Sequence, residues 1–367
     1  MTSEEAYEKA KHAQKRLPEL EPIIMQDAGH AHYYARDIIK DRWPEAEPVI
    51  MKNVTYACSY AIDVIKGRWI EAEPTIMQDA YYACYYAKDT IEGRWLEAEP
   101  VIMQDVSSTY IYARDVIKGR WLEAESIIIK SVFDSYQYAR DVIHGRWLEA
   151  EPYIIQDAYY ACWYAIDVIK DRWQAAEPVI MSQAGFAYCY ARDVIKSRWL
   201  EAESIIMKNA EYAHYYALHI IKGRWPEAEE IITQDVYYTY CYARDVIKGR
   251  WIEFEPTIMQ SARYAYWYAK LVIKDRWSEA ELIIMQDDEC ACLYACEVIK
   301  RRWMEAEKNI AKYEGVNTYI ERFFEEPIVT KDQVDIIQWE RMNLSGYFAP
   351  ARMFKDKVSV LDIMVTE

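Results

Sequence analysis

Glycine, phenylalanine and histidine are all scarce in this 367-residue chain, at ten, seven and six residues. The glycines form no glycine-rich phosphate loop, and neither a nucleophile elbow nor an HExxH pair occurs. No apolar run approaches the roughly 18 residues of a membrane span. Basic charge is also short. Forty-four Lys and Arg stand against sixty Asp and Glu, and the net charge of −16 excludes a chain coated with nucleic-acid-binding charge. The opening Met1-Thr2-Ser3-Glu4-Glu5 is acidic and no apolar segment follows it, so a signal peptide is not expected. The eight Cys are then expected as free thiols in a reducing compartment. The expected location is cytoplasmic.

What the chain has in excess is Tyr, at 33, and Trp, at 14. Both combine an apolar body with a polar tip, which suits half-buried positions on small elements. Their distribution is periodic. Arg-Trp begins at Arg42 and recurs every 26 residues to Arg302, eleven times without insertion or deletion, with a weaker copy at Arg16-Leu17. Numbered from the Arg, the unit reads R-W-x-E-A-E-P-x-I-M-Q-D-A-x-Y-A-x-x-Y-A-R-D-V-I-K-G. Such self-similarity marks an array of stacked units.

The unit's own punctuation predicts two helices. Position 12 holds an N-cap residue in nearly every copy, such as Asp27, Asn53, Asp105 and Ser131, with Gln183 the exception. The second helix is expected to run from there to position 26. Gly67, Gly93, Gly119, Gly145, Gly223 and Gly249 stand at that position and are expected to supply the left-handed residue of a helix end. A shorter first helix is expected over positions 3 to 11. Pro at position 7 (Pro48, Pro74, Pro100) leaves its start loose, and one continuous helix over positions 7 to 25 is rejected because of the repeated N-cap. On a helical wheel Tyr at position 19, Ala at 20 and Ile at 24, present in all eleven copies from Tyr34 to Ile299, share one arc with positions 13, 16, 17 and 23. Trp at 2, Ala at 5 and Ile at 9 form the facing stripe. The expected fold is an all-α α-solenoid, a superhelix of about twelve two-helix repeats with terminal caps. Residues 1–15 are expected as an amino-terminal capping helix with Thr2 and Glu5 in a capping box, 16–313 as the repeats, and 314–367 as a non-repeat carboxy-terminal cap or small domain. Within the last segment, 330–342 reads as a helix and 358–365 as a strand.

Arg at position 1 and Glu at position 6 occur in all eleven copies, and Glu at position 4 fails only at Ala175. Eleven identical carboxylate pairs would mean eleven active sites, so these residues are read as a ladder of Arg–Glu contacts holding repeats in register. Position 17 carries only His, Cys or Tyr, from His32 to Cys292. Equivalent side chains on neighbouring repeats lie about one helix pair apart, too far to share a zinc ion bound at about 2.0–2.3 Å. Cys290, Cys292 and Cys296 lie closer together but lack a fourth ligand. No metal, no cofactor and no catalytic residue is expected, and gapless repeats leave no long loop on which to mount one.

Variation concentrates on positions 14, 18, 21 and 25, which share one flank of the second helix on the wheel. There the expected partner-binding residues are Tyr33, Tyr81, Tyr85, Tyr159, Trp163, Tyr215, Tyr237 and Trp267, with Arg114, Arg192 and Arg244 beside them. Drift on a solvated face explains the same variation. The flank's basic pairs, such as Arg114/Lys118 and Arg192/Lys196, also suit single-stranded nucleic acid, or simply the helix dipole. A further alternative is that the Glu-rich turns imitate nucleic acid.

The segment Tyr112-Ala113-Arg114-Asp115-Val116-Ile117-Lys118-Gly119-Arg120-Trp121-Leu122-Glu123-Ala124-Glu125 resembles tandem repeats in uncharacterised proteins of tailed bacteriophages and some bacteria. The resemblance covers residues 16–313. It implies a helical repeat fold and a viral origin, hence a host-cell cytoplasm, and carries over no activity. Copies in that group often place Pro after the capping Asp, where this chain has Ala, Val or Asp288. The resulting expectation is a non-enzymatic scaffold for a protein or peptide, with no membrane partner.

Overall fold

Thr2 opens the first helix, Ser3–Ala13. Its hydroxyl accepts the Glu5 N–H at 3.1 Å, and the Glu5 carboxylate accepts the Thr2 N–H at 2.9 Å. This is the reciprocal cap the sequence predicts. The computed structural model describes residues 1–324. It is an all-α solenoid of regularly repeated helical units, with no strand among the described residues. The chain forms two compact units, Met1–Ile180 and a second beginning at Met181, and the same repeat geometry recurs inside each. The helix and strand expected at 330–342 and 358–365 lie outside the described residues.

Position 12 caps the second helix as expected. Asp27 accepts from the His30 N–H at 2.9 Å, Asp105 from Ser108 at 2.7 Å and Asp287 from Cys290 at 2.8 Å. Gln183 and Ser261 make no such bond. The first helix is shorter than expected. It is a single α-turn over positions 6 to 9, as in Glu47–Ile50 and Glu99–Ile102, with Pro as its second residue. Only Leu200–Ile206 and Pro226–Ile232 reach back to position 3 as α-helix. Both have lost the Pro at position 7, carrying Ser204 and Glu230 there. Proline lacks an N–H and suits a first turn. Its loss alone does not lengthen the helix, since the α-turn still begins at position 6 in the repeats with Ser126, Leu282 and Lys308.

The second helix ends differently from the expectation. It is α-helical over positions 13 to 19, as in Val106–Tyr112, and then widens into a π-turn over positions 20 to 24, as in Ala113–Ile117. The left-handed residue is position 25, not the Gly at 26. Lys118 has φ 56°, and the equivalent residues from Lys40 to Lys300 lie between 55° and 61°. The Gly N–H instead bonds back to the position-20 carbonyl, as Gly119 does to Ala113 at 3.3 Å. The wider turn exhausts the helix one residue earlier than a straight α-helix would.

The repeats are joined by Tyr at position 19. The Tyr112 hydroxyl accepts the buried Trp95 N–H at 2.6 Å and donates to Glu99 Oε1 at 3.1 Å, while Arg94 grips Glu99 through Nε and Nη2, both at 2.8 Å. The Tyr112 ring meanwhile packs against Trp121 of the next repeat, centroids 5.1 Å apart. The Arg–Glu pair therefore lies within one repeat, correcting the expected ladder between repeats. Register comes from the Tyr–Trp contact. The pattern persists past residue 313, because Trp303 donates to Tyr319 at 2.9 Å and Tyr319 to Glu307 at 3.1 Å. Asn317–Phe323 thus completes the last repeat, one residue short.

Replacing Tyr112 with Phe should leave the buried Trp95 N–H without an acceptor and cost about 1–3 kcal/mol, seen as faster hydrogen exchange of the Trp95 amide. Lys118→Gly relieves a left-handed side chain and should leave that exchange unchanged or slow it by up to about 1 kcal/mol.

Candidate partner-binding surface

The second helix carries the variable residues, and its cap and turn fix where they point. Position 17 faces inward and reaches the next repeat. Tyr110 donates to Asp141 at 2.8 Å, Tyr136 to Asp167 at 2.5 Å, and Tyr266 to Glu297. Position 21 folds over the same ring. Arg114 Nη1 donates to the Tyr110 hydroxyl at 3.0 Å, and its guanidinium lies 5.1 Å from that ring's centroid. Its Nε and Nη2 hold Asp115 at 2.6 and 2.9 Å. Arg192 and Arg244 repeat the arrangement on Tyr188 with Asp193 and on Tyr240 with Asp245. These hydrogen bonds raise the guanidinium pKa values, and Arg114 pulls the Asp115 carboxyl below its usual value. The three arginines expected to face a partner are thus engaged inside the protein, although each remains part-exposed.

The aromatic residues are presented in clusters rather than as one ribbon. Tyr81, Tyr159 and Tyr237 at position 14 are 50%, 48% and 42% exposed. Tyr33, Tyr85, Trp163, Tyr215 and Trp267 at position 18 are half-buried. The structure brings Tyr81 to Tyr85, at 4.5 Å between centroids, and Tyr159 to Trp163, at 6.2 Å. Lys270 stands 4.7 Å over Trp267, and Tyr237 meets Tyr264 of the next repeat at 5.6 Å. Tyr33 contacts Tyr7 and Tyr56. Between Tyr85 and Tyr159 the row is interrupted at Ser107, Ile111 and Gln137. Position 25 carries the left-handed residue. It lies beyond the π-turn, and none of its lysines makes an ion pair among the described residues.

Two features escaped the sequence reading. Tyr at position 15 bridges repeats, as where the Thr55 hydroxyl donates to Tyr82 at 2.8 Å. Aliphatic residues at position 3 are exposed in both units, with Ile70, Leu96, Leu122, Leu148, Leu200, Ile252 and Met304 between 63% and 70% exposed. Their signal was the recurrence of a large apolar residue just after the buried Trp. Among the other candidates, Cys290, Cys292 and Cys296 are buried. No group of three His, Cys, Asp or Glu suited to a metal stands together among the described residues. Burial pushes the Cys58 and Cys84 thiols up to about 12, which disfavours a reactive thiolate. No helix among the described residues is long and apolar enough to cross a membrane. Compared with family models, curated proteins and solved structures, the chain finds no match in any of the three.

His214 occupies position 17 and is 2% exposed. Burial lowers its pKa from 6.5 to about 4, with Asp245 opposing the shift and His219 and Arg244 adding to it. Between those values the unfolded chain binds a proton that the folded one does not, so stability falls as pH drops from 6.5 towards 4. The loss should reach on the order of 2–3 kcal/mol. His214→Tyr, the residue at the equivalent positions 188 and 240, should flatten that part of the pH profile of urea unfolding.

Proposed function

We propose that this protein is a non-enzymatic repeat scaffold that binds a protein or peptide through the aromatic side chains of its second helices, in the cytoplasm of a host cell if its origin is viral. The observation that carries the reading is the half-exposure of Tyr81, Tyr159 and Tyr237. Each stands beside another ring on a frame whose core positions do not vary. Aromatic side chains offer large contact area at small entropic cost, and they dominate interface energetics. Paired rings such as Tyr81–Tyr85 and Tyr159–Trp163 are suited to gripping an apolar or proline-rich segment between them. Arg114, Arg192 and Arg244 act in this reading as supports for the frame, because their carboxylate partners already occupy them. The same pairing weakens the single-stranded nucleic-acid alternative, which needs those cations free for phosphate.

Panning a random peptide library against the full chain tests the proposal, with counter-selection on a variant carrying Ser at Tyr81, Tyr159, Trp163, Tyr237 and Trp267. The expected result is a peptide family retained by the parent and lost by the variant, both having the same helical circular dichroism. Failure to enrich any discriminating peptide removes the reading. Single-stranded oligonucleotides should show no saturable retention at physiological salt in a gel-shift titration. A shift that weakens steeply with added salt would favour the alternative instead.

A further inference from the structure

One repeat carries a histidine where the repeats on either side of it carry an acid. Position 22 is Asp in the copies from Asp37 to Asp193 and again at Asp245, but His219 in the repeat that begins at Arg198. The preceding position 21 is Leu218 where most copies carry a base. The Arg–Asp pair present on either side, at Arg192–Asp193 and Arg244–Asp245, is absent here, and a cleft of about 360 Å³ opens between the ends of two successive second helices. Leu218, His219, Lys222, Asp245, Val246 and Lys248 line it.

The lining is cationic in an otherwise acidic protein. Asp245 is held by Arg244 through two bonds, at 2.7 and 2.6 Å, so its charge is already met. Lys222 and Lys248 are exposed and form no ion pair among the described residues. Two ammonium groups are left facing one space. His219 adds an imidazole. Its Nδ1 lies 2.8 Å from the Tyr188 hydroxyl, which itself accepts from Arg192 Nη1 at 3.4 Å. Tyr188 thereby ties the imidazole to the preceding repeat. The ring is fixed in place by Tyr215, stacked at 5.9 Å and 22°. A space bordered by two ammonium groups, an imidazole and apolar walls at Leu218 and Val246 suits a compact dianion on a small carbon frame.

We propose that this cleft is a binding site for a phosphomonoester group, held by Lys222, Lys248 and His219. The site is independent of the aromatic surface, and its failure would leave that reading untouched. Two substitutions test it with residues that other repeats already carry in the same places. His219→Asp restores the usual position-22 acid. Gly223→Asp copies Asp41, Asp171 and Asp275 at a glycine whose added Cβ would meet nothing within 4 Å. Both variants should fold as the parent does.

Titrating the full chain with O-phospho-L-serine, a short phosphoserine peptide, and the unphosphorylated forms of both, by isothermal calorimetry at fixed ionic strength, reads the outcome. Saturable binding of a phosphorylated ligand is expected, weakened about tenfold or more by either substitution. Binding of the free amino acid assigns a small metabolite as the source, and binding of the peptide alone assigns a docked chain. The proposal is overturned if neither phosphorylated ligand binds, if the unphosphorylated forms bind equally, or if both variants bind as the parent does.

Discussion

The fold depends on one side chain doing two jobs. The tyrosine at position 19 uses its hydroxyl to close its own repeat, bonding the Trp N–H behind it and the Glu beside it. It uses its ring to dock the Trp of the next repeat. A first helix of a single turn has no stability of its own, since nucleation costs more than one turn returns. The hydroxyl, and the Arg–Glu pair it touches, supply the hydrogen bonds that such a turn lacks. Phenylalanine would keep the docking and lose the closure, whereas a smaller hydroxyl residue could not reach the Trp N–H and would lose both. Only Tyr satisfies both, which explains why it appears in all eleven copies from Tyr34 to Tyr294 while position 18 beside it varies.

A second tyrosine contact, less regular, zips the outer part of the helices. Where position 17 is Tyr, as at Tyr110 and Tyr136, it reaches the position-22 acid of the following repeat, and the Arg at 21 closes over it. Where position 17 is Cys58 the thiol instead donates a weaker bond to the Tyr82 carbonyl oxygen of the following repeat, at 3.7 Å. The interface between successive repeats is thus graded along the chain. It is strong at the Tyr–Arg–Asp triads and weaker at the cysteines, while the inner Tyr–Trp contact stays the same. Graded coupling of this kind lets an array loosen locally without losing its register.

Much of this was legible in the sequence because repetition itself separates constrained positions from free ones. The N-cap at Asp27 or Asp105, the buried stripe of Trp, Ala and Ile, and the capping box at Thr2 each follow from local chemistry that needs no distant partner. What the sequence hid was backbone geometry. A wheel drawn at a constant angle per residue cannot register the π-turn at Ala113–Ile117, so it ran the helix straight through Lys118. The glycine beside it, Gly119, invited the left-handed assignment that belongs one residue earlier. The Arg–Glu pairs were identified correctly but not their direction, since one sequence spacing fits contacts both within and between repeats. On the candidate surface the aromatics were readable from their variation. The engagement of Arg114, Arg192 and Arg244 was not, because the tyrosines beneath them were read only as core.

The left-handed lysines show how charge is distributed over this fold. A non-glycine residue in that region costs roughly 1–2 kcal/mol, yet eleven repeats place one there, nine of them Lys, immediately before a position that is often Gly. A cation at a helix carboxy terminus returns about 0.3–1 kcal/mol through the macrodipole, so the dipole alone does not cover the cost. The π-turn supplies the remainder, because two successive N–H groups converge on the single position-20 carbonyl only if the residue between turns left-handed. The lysine side chain is then free of the frame, unlike the arginine four residues before it. In most repeats a position-22 carboxylate stands three residues away and offsets its field. Where His219 replaces that carboxylate the offset is gone, and two of these free lysines border one cleft. A single substitution in one copy is enough to turn a structural repetition into a distinct chemical environment.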